Sequence, residues 1–463
     1  MKFDKLISFT ALGVLFIFSI FYFKERIIFL DSAYYAFQLI NTETFFNSGR
    51  FFTAIPQILP LILVKLNTPL PIVLASFSGS FVLINIILYL AIRFYLKDVE
   101  SGILLILIQF IAIKAFFFLP VSEVHLSLSF AVLFYAWINA DFVDKIKFLI
   151  YFLITLLLAY IPYSLHPISI FPMVFSFLFS IISNKRFCHL KYYTPILVII
   201  ILYSMKFLIK DLSSPYENEL FGNIKSFQSN LYNLLNLFPI YQLKKHFQEL
   251  YLLPFLLLVI GIIYNTFKKN FLLVLVSLLS PLIFITTIAL MKPEGDAYIN
   301  IEKFLYPLSF LCTLPFIYDI GKSDNKFLTI IKTLSVIIII YIGFVKINKA
   351  GKVYSNRITY LNQMIDKSKN INSDKVILDK KNIDIKKIGP PWAVGVESIL
   401  LSSLSDKTIS IYISNDIRQE IIKPRDSDIY FCVPFNKRVN VNSLNNNYFK
   451  LSSSKPQKIE DSF

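Results

Sequence analysis

Long apolar runs separated by short polar loops fill the first 346 residues of the chain. The stretches 103–118 and 271–290 approach the roughly 20 apolar residues that a helix needs to cross the hydrocarbon core of a bilayer. Because backbone groups in lipid must find partners within their own segment, these runs predict helices. The pattern therefore predicts a mainly α-helical, polytopic membrane protein.

We place about eleven spans on this pattern, at 6–28, 72–95, 101–118, 121–140, 146–165, 167–183, 193–209, 250–267, 270–290, 304–320 and 327–346. Alternate loops such as 93–97 and 185–191 carry several Lys or Arg, whereas the loops 119–122 and 165–167 carry neither. Basic loops are retained in the cytoplasm. The asymmetry predicts a cytoplasmic N-terminus and an extracytoplasmic C-terminal region.

The loop after the first span is too long for a turn and too apolar for a free loop. Residues 33–46 mix aromatic and polar positions at helical spacing, and Pro56 and Pro60 interrupt the mostly apolar stretch 51–66. Proline is a poor component of a spanning helix, so we predict interfacial helices that lie along the membrane plane. The alternative is that 51–66 extends a buried span.

Residues 347–463 are much more polar than the rest of the chain. Alternating patterns predict short strands and helices, with strands at 375–379, 408–414 and 428–433 and helices at 352–367 and 396–404. We therefore predict two domains, a transmembrane catalytic domain at 1–346 and a small extracytoplasmic α/β domain at 347–463.

Composition supports a membrane location. Hydrophobic residues make up 56% of the chain, and the mean hydropathy is +0.62. The net charge of +16 could suit nucleic acid, but no basic run is interleaved with aromatics, so we predict no nucleic-acid partner. The abundance of Lys, Asn, Ile and Phe is typical of an AT-rich bacterial genome, which favours the bacterial cytoplasmic membrane.

The predicted topology gathers ionisable residues from separate loops on the extracytoplasmic side. Asp31 follows the first span, where a carboxylate is costly beside lipid unless it is solvated, paired or used. The other candidates are Tyr34, Tyr35, Arg50, Glu123, His125, His166, Lys292, Glu294, Glu302 and Lys303. Their convergence predicts an active site at the membrane boundary.

Several of these residues also have simpler interpretations. Asp31 could cap or hydrate a helix end, and Arg50 could extend to lipid headgroups. His125 and His166 are individually more typical of structural positions, and His166-Pro167 could mark a helix break. Lys114, inside an apolar run, is expected to reach toward the outer interface, with pairing to Glu123 as the alternative.

The pattern resembles the GT-C superfamily of polytopic glycosyltransferases, which use polyprenyl-phosphate-linked sugars. The resemblance is carried by Asp31 in Leu30-Asp-Ser-Ala-Tyr-Tyr35, by the stretch 33–66, by Glu302-Lys-Phe-Leu-Tyr-Pro-Leu-Ser309 and by the C-terminal region. It implies that a sugar moves from a polyprenyl-phosphate donor at the membrane lipid surface to an extracytoplasmic glycan, lipid or protein acceptor.

The resemblance also has a departure. Many members carry two adjacent acids, or two acids one residue apart, in the first loop, whereas Ser32 and Ala33 follow Asp31 here. A divalent cation needs several oxygen ligands, and one carboxylate supplies too few. We therefore predict metal-independent chemistry without a cofactor.

Roles follow from the chemistry of sugar transfer. The acceptor hydroxyl loses a proton as it attacks, so Asp31 is the candidate base. The departing phosphate needs cations, which makes Arg50 the first candidate, followed by Lys292 and Lys303. The acceptor-binding or supporting candidates are Tyr34, Tyr35, Glu123, His125, His166, Glu294 and Glu302.

Two other functions stay open. One is a transporter or flippase of lipid-linked glycans, and the other is an O-antigen polymerase or ligase-type enzyme. Transporters commonly use broken helices, midplane charges and internal repeats. This chain has 12 Gly, no clear repeat and its charges at one face, which favours an interfacial enzyme. Polymerases and ligases usually rely on arginines in large later loops, which are sparse here.

Overall fold

The structure is a computed structural model of the chain. It describes residues 2–46, 50–187, 189–208, 232–293, 298–321, 325–371, 373–405, 407–418, 420, 422, 427–432, 437–452 and 454–459. Seven described helical segments are long and apolar enough to cross a membrane, namely Asp4–Phe21, Leu70–Tyr95, Phe148–Leu165, Phe247–Phe267, Phe271–Met291, Glu302–Gly321 and Lys326–Lys369. The prediction of a mainly helical membrane protein is confirmed, whereas the count of eleven spans stays a prediction.

Eighteen α-helices are described. They are α1 Lys2–Phe21, α2 Phe23–Ile27, α3 Leu30–Thr42, α4 Ile58–Lys65, α5 Leu70–Leu90, α6 Val99–Ile108, α7 Glu123–Asn139, α8 Phe148–Leu165, α9 Ile170–Ser183, α10 Thr194–Leu208, α11 Phe238–Lys245, α12 Leu252–Phe267, α13 Phe271–Met291, α14 Tyr298–Leu305, α15 Leu308–Gly321, α16 Lys326–Lys369, α17 Ile385–Ile388 and α18 Val394–Ser402.

The predicted span 101–118 is wrong as one continuous helix, because α6 ends at Ile108 and a short 3-10 turn follows at Ala115–Phe118. Where the helix stops, backbone groups lose their helical partners, and polar side chains distant in the sequence form hydrogen bonds with them instead. The Tyr306 hydroxyl donates to the Ile108 carbonyl at 2.7 Å, and Glu302 accepts the Lys114 backbone N–H at 2.7 Å. Irregular backbone is tolerated at membrane depth where protein groups satisfy it.

The segment Phe51–Lys65 combines a 3-10 turn over Phe51–Gln57 with α4. It is shorter than the segments able to span a membrane. One face packs through Leu61 and Val64, while the other leaves Phe51 and Ile62 exposed. An exposed apolar face on a short helix is compatible with a membrane surface, and the interfacial position of this segment stays a prediction.

A small α/β region follows the last span, as predicted. The 44-residue helix α16 continues without a break from its apolar half into this region. The strands are β1 Lys375–Asp379, β2 Ser410–Ser414, β3 Ile429–Cys432, β4 Lys437–Asn440 and β5 Gln457–Ile459. β1 lies between β2 and β5, parallel to both, with Lys375 opposite Ser410, and β3 pairs with β4 antiparallel. The three predicted strands match β1, β2 and β3 to within two residues.

The α/β region shares a hydrophobic core with the first loop. The buried face of α3 includes Ala33, Phe37 and Ile40, which belong to the same apolar cluster as Leu378 and Phe449. The rings of Phe37 and Phe449 lie 5.2 Å apart. This packing fixes α3 against the α/β region, and we call the end of the helices that carries this region the domain side.

Candidate active site

Asp31 lies in the first turn of α3 on the domain side. A carboxylate at this position interacts favourably with the helix dipole. The side chain is exposed to solvent, yet surrounding protein raises the pKa of the Asp31 carboxyl, with Lys303 opposing this effect and Glu123 adding to it. Asp31 is therefore accessible yet desolvated by its surroundings, and it lies within electrostatic range of one acid, Glu123, and one cation, Lys303.

Glu123 brings three other predicted residues together. It is the first residue of α7, and only a tenth of its side chain is exposed. Its Oε2 atom lies 3.0 Å from Nη1 of Arg50 and 3.8 Å from Nζ of Lys303, and its Oε1 accepts a hydrogen bond from the Tyr35 hydroxyl at 3.4 Å. We call Tyr35, Arg50, Glu123 and Lys303 the Glu123 cluster.

The backbone around Arg50 is fixed by its neighbours. The Arg50 carbonyl accepts hydrogen bonds from the backbone N–H of Thr53 at 3.0 Å and from its hydroxyl at 2.6 Å. The amide of Gln57 bonds the N–H of Phe46 at 2.9 Å and the carbonyl of Thr53 at 2.9 Å. Phe46 also packs edge-on against Tyr35, with ring centroids 4.7 Å apart. These contacts hold the described ends of the first loop beside α3.

Glu302 and Lys303 are sequence neighbours on α14 with different partners. Lys303 belongs to the Glu123 cluster and keeps about a fifth of its side chain exposed. Glu302 is buried, and its Oε1 accepts the backbone N–H groups of Lys114 and Phe116 at 2.7 and 3.0 Å. Glu302 therefore supports the loop after α6, while Lys303 faces the candidate site.

The suggested pairing of Lys114 with Glu123 is wrong. The Lys114 ammonium lies 2.7 Å from Oε1 of Glu249, which comes just before α12. The sequence offered no signal for this pair, because Glu249 lies 135 residues further along the chain and its approach to Lys114 depends on how the helices pack.

The remaining predicted residues surround the cluster or lie apart from it. Tyr34 packs against Phe46, and Lys292 lies 5.7 Å from the centre of the Phe304 ring.

The two predicted histidines both have structural partners. His125 stacks on Tyr306 at 5.3 Å, and buried His166 accepts the Ile168 N–H at 3.2 Å through Nδ1. This bond caps the turn after α8, in line with the helix-break interpretation. Glu294 lies outside the described residues.

Arg26 is a functional candidate that the sequence interpretation missed. It is buried in α2, and its guanidinium donates to the Phe117 carbonyl at 2.7 Å and to the Ser78 hydroxyl at 2.8 Å. With Gln109 and His125 it lines a cavity of about 20 Å³, enough for one water molecule. A basic residue at the end of a predicted span usually contacts lipid headgroups, so nothing in the sequence indicated that Arg26 is buried.

A second missed pair joins the α/β region to the start of α3. Arg357 of α16 and Glu397 of α18 form a buried ion pair. Oε1 of Glu397 accepts the Leu30 backbone N–H at 2.8 Å, directly before Asp31. In the sequence both residues appear to be ordinary polar positions of a soluble domain.

The described residues contain no group of three or more His, Cys, Asp or Glu placed to hold a metal ion. Within the Glu123 cluster, two cations already contact the one carboxylate. The geometry thus offers an exposed carboxylate, Asp31, close enough to Glu123 and Lys303 for their charges to act on it. It also offers two partly exposed cations, Arg50 and Lys303, that an anionic group could reach.

Comparison of the chain with protein-family models, with curated proteins and with solved structures finds no match.

Proposed function

We propose that this membrane protein is a glycosyltransferase of GT-C type that moves a sugar from a polyprenyl-phosphate donor to an extracytoplasmic glycan, lipid or protein acceptor. The observation that supports this function best is the position of Asp31 beside the Glu123 cluster. Four separate segments contribute two carboxylates, a guanidinium, an ammonium and a phenol to one location at the ends of membrane helices.

The proposed reaction uses each of these groups. The acceptor hydroxyl attacks the anomeric carbon, the bond between that carbon and the donor phosphate oxygen breaks, and the hydroxyl proton passes to Asp31. The phosphate leaves with the electron pair of the broken bond as polyprenyl phosphate. Its negative charge increases as it departs, and Arg50 and Lys303 are placed to stabilise that charge.

The roles of the two cations differ in this proposal. Arg50 presents a planar guanidinium that can bind a phosphate through two parallel hydrogen bonds, whereas Lys303 acts as a single point charge. About a fifth of each side chain is exposed, so both can contact a substrate without leaving Glu123. Glu123 and Tyr35 then hold the cations in place.

The proposal places the domain side outside the cytoplasm, with the N-terminus inside and the protein in the bacterial cytoplasmic membrane. The support is the concentration of Lys and Arg in the loops at the opposite ends of the predicted spans. The proposed chemistry is metal-independent, because Arg50 and Lys303 would supply the positive charge that a metal ion would otherwise provide.

The function is tested in the native host by replacing the chromosomal copy with an Asp31→Asn variant. Asparagine keeps the size of the side chain but accepts no proton at neutral pH. We expect loss of one extracytoplasmic glycan at unchanged protein level, with a Glu420→Gln variant as the matched control in the α/β region. Unchanged glycans in the Asp31→Asn strain would refute Asp31 as the catalytic base.

A further inference from the structure

The peptide groups on both sides of Phe29 are held from the C-terminal part of the chain. The Ile28 carbonyl accepts a hydrogen bond from Nη1 of Arg357 at 3.0 Å. The Leu30 N–H donates to Oε1 of Glu397 at 2.8 Å. The guanidinium of Arg357 also lies over the Phe29 ring, 4.7 Å from its centre. Residues 28–30 therefore have one fixed arrangement relative to the α/β region.

The side chains of Arg357 and Glu397, which hold residues 28–30, are themselves fixed by several contacts. Glu397 is fully buried and Arg357 is 6% exposed, and the two side chains form an ion pair. Nε of Arg357 donates to the Ile388 carbonyl at 2.8 Å, so all three of its nitrogens have partners. Removing either charge would leave the other buried without its counter-ion, which is costly.

Leu30 needs this support because its backbone is unfavourable. Its φ of +46° lies in the left-handed region, which a non-glycine residue adopts only where its surroundings enforce it. Glu397 enforces it by accepting the Leu30 N–H in a buried place. If that acceptor were lost, Leu30 could relax to negative φ, and the first turn of α3 would rotate together with Asp31.

We propose that Arg357 and Glu397 are positioning residues for Asp31, so that the α/β region sets where this carboxylate lies and how readily it reacts. The role of Asp31 in catalysis rests on the proposed function, whereas the positioning itself does not. In this view the α/β region is part of the active site, because two of its buried contacts determine the start of α3.

Positioning is measured without assaying any reaction. Asp31→Cys is introduced into a full-length chain in which Cys188, Cys312 and Cys432 are replaced by Ser, and the rate of alkylation by a membrane-impermeant maleimide is recorded. The same measurement follows in Glu397→Leu, which removes the acceptor and the charge. Glu397→Gln retains an acceptor oxygen but loses the charge, and Glu420→Gln is the control, since Glu420 pairs with Arg438 elsewhere in the α/β region.

We expect the rate at position 31 to change by about tenfold or more in Glu397→Leu, because a hydrogen bond to a charged group is lost. Glu397→Gln should change it less, and Glu420→Gln should leave it unchanged. Size-exclusion chromatography monitors folding, and if Glu397→Leu does not fold, the comparison of Glu397→Gln with the control decides. Equal rates in the folded Glu397 variants and the control would overturn the proposal.

The two proposals fail separately. An Asp31→Asn protein with full glycan formation would refute the proposed function and leave the alkylation result intact. Unchanged alkylation in the Glu397 variants would refute the positioning role and leave the proposed function intact.

Discussion

The guanidinium of Arg50 lies 3.0 Å from the carboxylate of Glu123, although Arg50 belongs to the loop after the first span and Glu123 begins α7. This ion pair joins two segments that the apolar pattern of the chain treats as unrelated. Arg50 keeps about a fifth of its side chain exposed, and the proposed donor site needs a guanidinium that a substrate can reach.

Replacing Glu123 with Gln should weaken both the fold and the site. The change removes the carboxylate charge that Arg50 and Lys303 both contact, so we expect a loss of roughly 1–3 kcal/mol in the free energy of unfolding. Denaturant unfolding in detergent measures it, with Glu420→Gln as the control for an exposed pair. Equal stability of the two variants would show that Glu123 does not hold the cluster.

Replacing Arg50 with Lys should affect donor binding more than stability. Lysine keeps the charge but cannot make two parallel hydrogen bonds to a phosphate. We expect KM for the lipid-phosphate donor to rise by about tenfold, the cost of roughly one hydrogen bond to a charged group. The matched control is Arg438→Lys, at the exposed pair with Glu420. An unchanged KM in Arg50→Lys would remove Arg50 from the donor site.

As the pH is lowered, activity should be lost at a higher pH than expected for a base with the ordinary pKa of an aspartate. Desolvation by the surrounding protein raises the pKa of Asp31, and a base works only when it is deprotonated, so activity is lost as the pH falls through this raised value. Lys303 opposes the shift, so Lys303→Gln should raise the pKa further and move the acidic limb to still higher pH. A pH–rate profile of both proteins measures the shift, and a limb that moves to lower pH would be inconsistent with Asp31 as the base.

Lys114 should be coupled energetically to Glu249 and not to Glu123. The pair is partly exposed, so a double-mutant cycle with Lys114→Met and Glu249→Gln should give about 0.5–1 kcal/mol. The same cycle with Glu123→Gln should give no coupling energy. A larger coupling with Glu123 would mean that the loop after α6 is arranged differently from the structure.

The sequence alone predicted the features that depend on residues close together in the chain. The apolar runs indicated most of the helices, and the alternating pattern located β1, β2 and β3. The candidate residues Asp31, Arg50, Glu123 and Lys303 were selected because each is a charged residue on the predicted extracytoplasmic side. In the structure Glu123 contacts Arg50 and Lys303, and the charges of Glu123 and Lys303 act on Asp31.

The sequence alone did not predict the features that depend on hydrogen-bond or ion-pair partners far apart in the chain. The end of α6 at Ile108 depends on contacts of the following backbone with Tyr306 and Glu302. These two residues lie almost two hundred positions further along the chain than their partners. The buried pair of Arg357 and Glu397 could not be distinguished from solvated polar residues, because burial depends on how α3 packs on the α/β region.

The most direct test of the central claim is product formation by purified full-length protein in bilayers that contain synthetic polyprenyl-phosphate sugars. Mass spectrometry then measures the polyprenyl phosphate that appears when extracts of host glycans are supplied as acceptor. We expect release with the wild-type protein and the Glu420→Gln control, and a loss of at least about a hundredfold with Asp31→Asn, the scale of general base catalysis. Release that is equal in the Asp31→Asn protein, or a donor that crosses the bilayer intact without being cleaved, would contradict the account.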